Sequence, residues 1–220
     1  GKPLVVLLHG HGRAASTMWL MGKRLEAAGF HVHRIDNESL DTPPEGILEA
    51  VTRDIDRCCA DDPNAVHYVG HSLGGLIIRT YLAERRPRTL GRVVLVGTPN
   101  GGTELVDKFR DWKAFGLLGP TAASLGTDAR SLPAKLPVPD YPVGVIAGSR
   151  GPGWNDRWLP GPDDGLVAVE SAKLAGMTDF IVLETGHSMM RYSEEVADQI
   201  VRFLEDGKFD HAQADVKPPQ

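Results

Sequence analysis

The chain has 220 residues, 41% hydrophobic and 24% charged, a balance that suits one globular domain with a full core. Its 24 Lys and Arg against 29 Asp and Glu leave a net charge of -5, and no basic run forms a stripe, so nucleic acid is excluded as an expected partner. No apolar run is long enough for a bilayer span and no leader-like segment precedes the first strand, so the expectation is a cytoplasmic protein without stable membrane insertion.

Short apolar runs alternate with helical patterns along most of the chain. Leu4 to Leu8 is the first strand, followed by Val32 to Ile35. Ile47, Leu48, Val51, Ile55, Cys58 and Cys59 then recur on one helical face. The two cysteines are the only ones in the chain; an adjacent pair staples nothing across a fold, and packing on that face is their expected role. Ala65 to Val69 is the third strand, Leu76 to Glu84 a helix, Val93 to Val96 the fourth strand, Val143 to Ala147 the fifth and Phe180 to Leu183 the sixth. Val196, Ile200, Val201 and Leu204 mark a last helix, with Ser193 as its N-cap and Glu194 and Glu195 in its first turn. This alternation predicts an α/β fold: a mostly parallel six-stranded sheet with helices on both faces.

One stretch breaks the rhythm. Between about residues 100 and 140 no strand-like run occurs, and the segment is too long for an ordinary connection. It is expected to form a short helical cap over the carboxyl edge of the sheet. The domain is expected to span residues 1–209, and the polar, proline-containing stretch 210–220 to be a loose tail.

Tyr68-Val69-Gly70-His71-Ser72-Leu73-Gly74-Gly75 carries a Gly-x-Ser-x-Gly pattern between a predicted strand and a predicted helix. That context gives the pattern mechanical meaning. The serine sits on a sharp strand-to-helix turn with its hydroxyl exposed, next to the unpaired N–H groups of a helix N-terminus. Gly70 and Gly74 are required because side chains there would collide as strand and helix approach. His71 is expected to pack or hydrogen-bond near the serine. His31, His33 and His67 flank or lie within strands and read as structural. No histidine pair has a zinc-binding helical spacing, so neither metal nor other cofactor is expected.

On these residues the chain resembles the α/β-hydrolases, and among them small bacterial lipases and esterases and lipase-like proteins that act on lipid anchors. The resemblance covers about residues 3 to 205. It is carried by the elbow, by Leu8-His9-Gly10-His11-Gly12, by Thr98-Pro99-Asn100-Gly101-Gly102 and by Asp164-Gly165-Leu166-Val167. Larger members have two strands before the first one here, so the resemblance implies a minimal version of the fold. It also implies an order of catalytic residues: serine, then an acid, then a histidine.

His187 and His211 are the two histidines after Ser72, and His187 lies just past the sixth strand, where the fold places its base. For the acid, position after the fifth strand leaves Asp156, Asp163 and Asp164 open. The Asp-Gly-Leu-Val resemblance implies Asp164, with Asp163 one residue away as the rival. One oxyanion-hole donor is expected from the N–H of Leu73. The resemblance implies that His11 gives the second, although its turn departs from the fuller His-Gly-Gly-Gly form. Trp112, Phe115, Leu117 and Leu118 suit either a substrate-binding wall for an acyl chain or the docking of the cap, and Trp154 and Trp158 suit the rim.

The resemblance therefore implies a serine hydrolase that cleaves carboxylic esters through an acyl-enzyme on Ser72. Apolar acyl substrates are favoured: a small molecule, a lipid or a polyester. Esterase and lipase both remain open. So do thioesterase, amidase and acyltransferase chemistry on the same residues, and a catalytically inactive binding protein of the same fold.

Overall fold

The computed structural model describes residues 1–10, 15–36, 44–109, 126–127 and 131–214. Among these residues six strands form one sheet: β1 (Leu4–Leu8), β2 (His31–Ile35), β3 (Val66–His71), β4 (Leu90–Val96), β5 (Val143–Gly148) and β6 (Asp179–Leu183). Their order is β2-β1-β3-β4-β5-β6, and every neighbouring pair is parallel. Parallel neighbours need long crossovers. Helices α1 (Trp19–Ala27), α2 (Pro44–Cys58) and α3 (Leu73–Glu84) supply the first three. The helices α4 (Glu104–Phe109) and α5 (Leu132–Lys135) lie between β4 and β5, and α6 (Val169–Ala172) between β5 and β6. The chain then runs through α7 (Glu194–Asp206) to α8 (His211–Ala214).

The central strands read as unbroken apolar runs because both faces of the sheet are covered. Along β1, Val5 and Leu7 join Met21, Leu25, Ile200 and Phe203 in one core. Leu4, Val6 and Leu8 point the other way and join Val51, Ile55, Leu73 and Ile77 in a second core. Helices α1 and α7 therefore cover one face, and α2 and α3 the other. Ser193 caps α7 as expected, its hydroxyl oxygen accepting the Val196 N–H at 3.2 Å, an interaction worth about 1 kcal/mol.

Several expectations change in detail. Strand β4 begins at Leu90, three residues before the apolar run: Leu90 pairs with Val66 of β3, and the charged Arg92 lies within the strand. Its guanidinium donates to the carbonyls of Leu204 and Glu205 in the last turn of α7, at 2.9 and 2.8 Å. Cys59 packs in the core as expected, and it is also joined to Cys58 as a vicinal disulfide.

Of the stretch expected to form a tail, Asp210 and His211 hydrogen-bond to the rest of the domain. Gln199 exchanges two hydrogen bonds of 2.9 Å with the Asp210 main chain. Asp179 accepts from the Phe209 N–H and from His211 Nε2, both at 2.8 Å. Residues 215–220 lie outside the described residues, as does the middle of the expected cap, of which α4 and α5 are the flanking parts.

Candidate active site

The direction of travel along the sheet reverses at β1, with β2 on one side and β3 on the other. In open parallel sheets the crevice outside the carboxyl ends of the strands at such a reversal is where ligands bind. Gly10 follows β1 and Ser72 follows β3. They meet in that crevice, where a Cβ built on Gly10 would lie 3.2 Å from the Ser72 Cβ.

Strand β3 ends at His71 and α3 starts at Leu73, so the whole change of direction falls on Ser72. Its φ of 56° is the only positive value at a non-glycine among the described residues. Such a conformation costs on the order of 1–3 kcal/mol and persists where the surroundings hold it. Here the Ser72 N–H donates to the Val96 carbonyl at 2.8 Å, and the Ser72 carbonyl accepts from the Thr98 hydroxyl at 2.9 Å. The glycines allow the close approach. A Cβ on Gly70 would lie 2.5 Å from the Gly75 nitrogen, and one on Gly74 2.5 Å from the Leu8 carbonyl oxygen. The collision anticipated at Gly74 is thus with the end of β1, not with β3.

His187 stands beyond β6, with its ring between two partners. Nδ1 is 2.8 Å from Asp164 Oδ2, and Nε2 is 2.9 Å from Ser72 Oγ. An ionised carboxylate only accepts, so Nδ1 carries the hydrogen and Nε2 is left to accept the serine hydroxyl. The Asp164 side chain is 1% exposed. Its other oxygen accepts the N–H groups of Leu166 and Val167 at 2.9 and 2.7 Å. The Ser72 hydroxyl, the His187 imidazole and the buried Asp164 carboxyl thus form one hydrogen-bonded chain.

Asp163, the rival acid, is turned elsewhere. Its Oδ1 accepts the Gly165 N–H at 2.8 Å. Burial raises its pKa above the ordinary value, the Gly165 N–H opposes that rise, and the nearby Asp156 carboxyl adds to it. Leu73 is the first residue of α3, so its N–H has no acceptor a turn earlier in the helix and stands at the helix's positive end. His11, Trp112, Phe115, Leu117 and Leu118 lie outside the described residues. Trp154, on the loop before Asp164, is 67% exposed and meets Trp158 edge-on.

Sequence reasoning assigned no role to Thr98 or Asn100. Asn100 is buried: its Nδ2 donates to the Ala172 carbonyl at 2.8 Å, and its Oδ1 accepts from Arg79 Nη1 at 3.1 Å. Their signal was a polar Thr-Pro-Asn run directly after a buried strand, at the sheet's carboxyl edge. Among the described residues no group of three or more His, Cys, Asp or Glu is placed to hold a metal ion. None of their helices is long and apolar enough to cross a membrane.

Similar folds occur among solved structures. The mature lipase BlEst2 of Bacillus licheniformis superposes with a TM-score of 0.71 at 19% identity, over 93% of this chain and 91% of its own. Lipase B of Aspergillus fumigatus gives 0.72 at 19%, over 98% of this chain and 55% of its own. Phospholipase PlaB of Legionella pneumophila, solved in complex with thio-NAD, gives 0.71 at 15%, over 93% of this chain and 59% of its own. The chain thus spans little more than half the length of the last two. No curated protein matches it by sequence. The family model of the alpha/beta hydrolases does match, over residues 5–199, and the chain belongs to that family.

Proposed function

We propose that the protein hydrolyses carboxylic esters through an acyl-enzyme on Ser72. The observation that carries the reading is the hydrogen-bonded chain from Ser72 Oγ through the His187 ring to Asp164, at 2.9 and 2.8 Å, with the serine on the strained turn. His187 Nε2 takes the hydroxyl proton as Ser72 Oγ attacks the ester carbonyl carbon. Asp164 stays ionised and stabilises the imidazolium that forms. The Leu73 N–H stabilises the tetrahedral oxyanion; loss of one such donor typically costs about 10²–10³ in rate. The imidazolium then protonates the leaving alcohol. In the second half His187 activates water, which releases the acid and restores Ser72.

The solved relatives named as lipases and a phospholipase favour a substrate with an apolar acyl chain. The test is a p-nitrophenyl ester series of increasing chain length, run with matched thioester and amide substrates and with fluorophosphonate labelling. Labelling at Ser72, lost in Ser72→Ala, supports the nucleophile. Faster turnover of thioesters or amides than of esters at every chain length overturns the ester reading.

A further inference from the structure

His71 ends β3, immediately before Ser72, and is buried. Its Nε2 lies 2.8 Å from the main-chain carbonyl oxygen of His187. A carbonyl only accepts, so Nε2 carries the hydrogen and donates. The two imidazoles are tilted by 38° with centroids 4.9 Å apart. On its other side, the His187 N–H donates to the Asp164 carbonyl at 2.8 Å.

Residue 187 is therefore pinned through both of its main-chain polar groups. The carbonyl is tied to the turn that carries Ser72, and the N–H to the residue whose carboxylate holds the ring. With both ends fixed, little is left to vary except the side-chain torsions, and the hydrogen bonds to Ser72 and Asp164 set those. Reaction geometry of this kind is demanding: a displacement of about 1 Å can cost on the order of 10²-fold in rate.

We propose that His71 is a positioning residue. Its Nε2–H fixes the main chain of His187, and with it the distance from His187 Nε2 to Ser72 Oγ. The proposal rests on the reading of Ser72 and His187 as nucleophile and base. It differs from a space-filling role in what it requires: a hydrogen-bond donor at the position of Nε2, not merely a ring in the space.

Two substitutions separate these roles. His71→Phe keeps an aromatic ring and removes the donor. His71→Gln removes the ring and keeps an amide donor of similar reach. Phosphonylation of Ser72 by a fluorophosphonate is followed in both, with kcat and KM on a p-nitrophenyl ester and the melting temperature. The expected result is a loss on the order of 10–100-fold in kcat and labelling rate for His71→Phe, with KM little changed, and recovery of most of that loss in His71→Gln. Should His71→Phe not fold, His71→Met, which matches Gln in length and lacks the donor, takes its place.

The proposal is overturned if His71→Phe labels and turns over at the wild-type rate, or if Phe and Gln lower kcat equally. Wild-type protein that is not labelled at Ser72 is a different failure. It removes the nucleophile reading itself, and the labelling of the unsubstituted chain identifies it before any variant is compared.

Discussion

Thr98 donates its hydroxyl hydrogen to the carbonyl oxygen of Ser72 across 2.9 Å, tying the residue with the strained backbone to the loop after β4. Thr98 is fully buried, so a replacement that lacks the hydroxyl leaves that carbonyl with one partner fewer. Thr98→Val is expected to lower stability by about 1–2 kcal/mol and kcat severalfold. Denaturant melts and steady-state rates check the two parts, and an unchanged melt with unchanged kcat shows that the bond does not hold the turn.

Asp164 and Asp163 are adjacent, but only Asp164 faces His187. Asp164→Asn is expected to reduce kcat by about 10³–10⁴-fold, the scale of such a change in a Ser-His-Asp hydrolase, because an amide does not favour the required histidine tautomer. Asp163→Asn is expected to leave most of kcat. The reverse ranking in parallel assays would transfer the acid role to Asp163.

Asp163 also gives a pH signature. Its pKa is raised in the fold, first by burial. A raised carboxyl favours folding when protonated, so its contribution is largest below the unfolded pKa and is lost as pH rises through the folded one. At neutral pH the wild type therefore buries a charge that Asp163→Asn does not. The variant is expected to melt at a higher temperature than wild type at pH 7, with the difference closing as pH falls below the ordinary carboxylate range. Equal melting temperatures across that range count against it.

Asp179 has the opposite sign. Burial pushes its pKa up, but the Phe209 N–H, His211 and the Phe180 N–H together hold it below the ordinary value. The stability this gives is present above the unfolded pKa and lost as pH falls through the folded one. Asp179→Asn is therefore expected to loosen residues 209–214 at pH 7, with little added effect at acid pH. Amide exchange at Phe209 reports it, and unchanged protection at pH 7 would show that the carboxylate does not anchor that segment.

The strands were legible where burial on both faces makes them uniformly apolar, as in Leu4 to Leu8. Their ends were not. Leu90-Gly91-Arg92 belongs to β4 because Leu90 pairs with Val66 of β3 and the Arg92 N–H donates to His67 Nδ1 past an irregularity in the register, and no local pattern carries that. Helix α3 starts at Leu73, three residues before the sequence reading placed it. Gly74-Gly75 look like helix breakers, yet the backbone of β1 against Gly74 and the Thr98 side chain against Gly75 require both to be small.

Ser72 and His187 stood out because an elbow and a final loop are local features. The choice between Asp163 and Asp164 was not local in the same way. It turns on which carboxylate receives the Leu166 and Val167 N–H groups, a matter of a single turn's geometry. The anchoring of His211 was hidden for another reason: its partner Asp179 lies 32 residues away.

The three groups of the hydrogen-bonded chain come from separate connections, after β3, between β5 and α6, and after β6, and 115 residues separate Ser72 from His187. During synthesis the elbow emerges early and the imidazole late. A nascent chain that stops before β6 pairs with β5 carries a serine with no base beside it. Formation of the hydrogen-bonded chain therefore requires β6 to be docked, and the appearance of a fluorophosphonate-reactive serine during refolding would serve as a clock for that step.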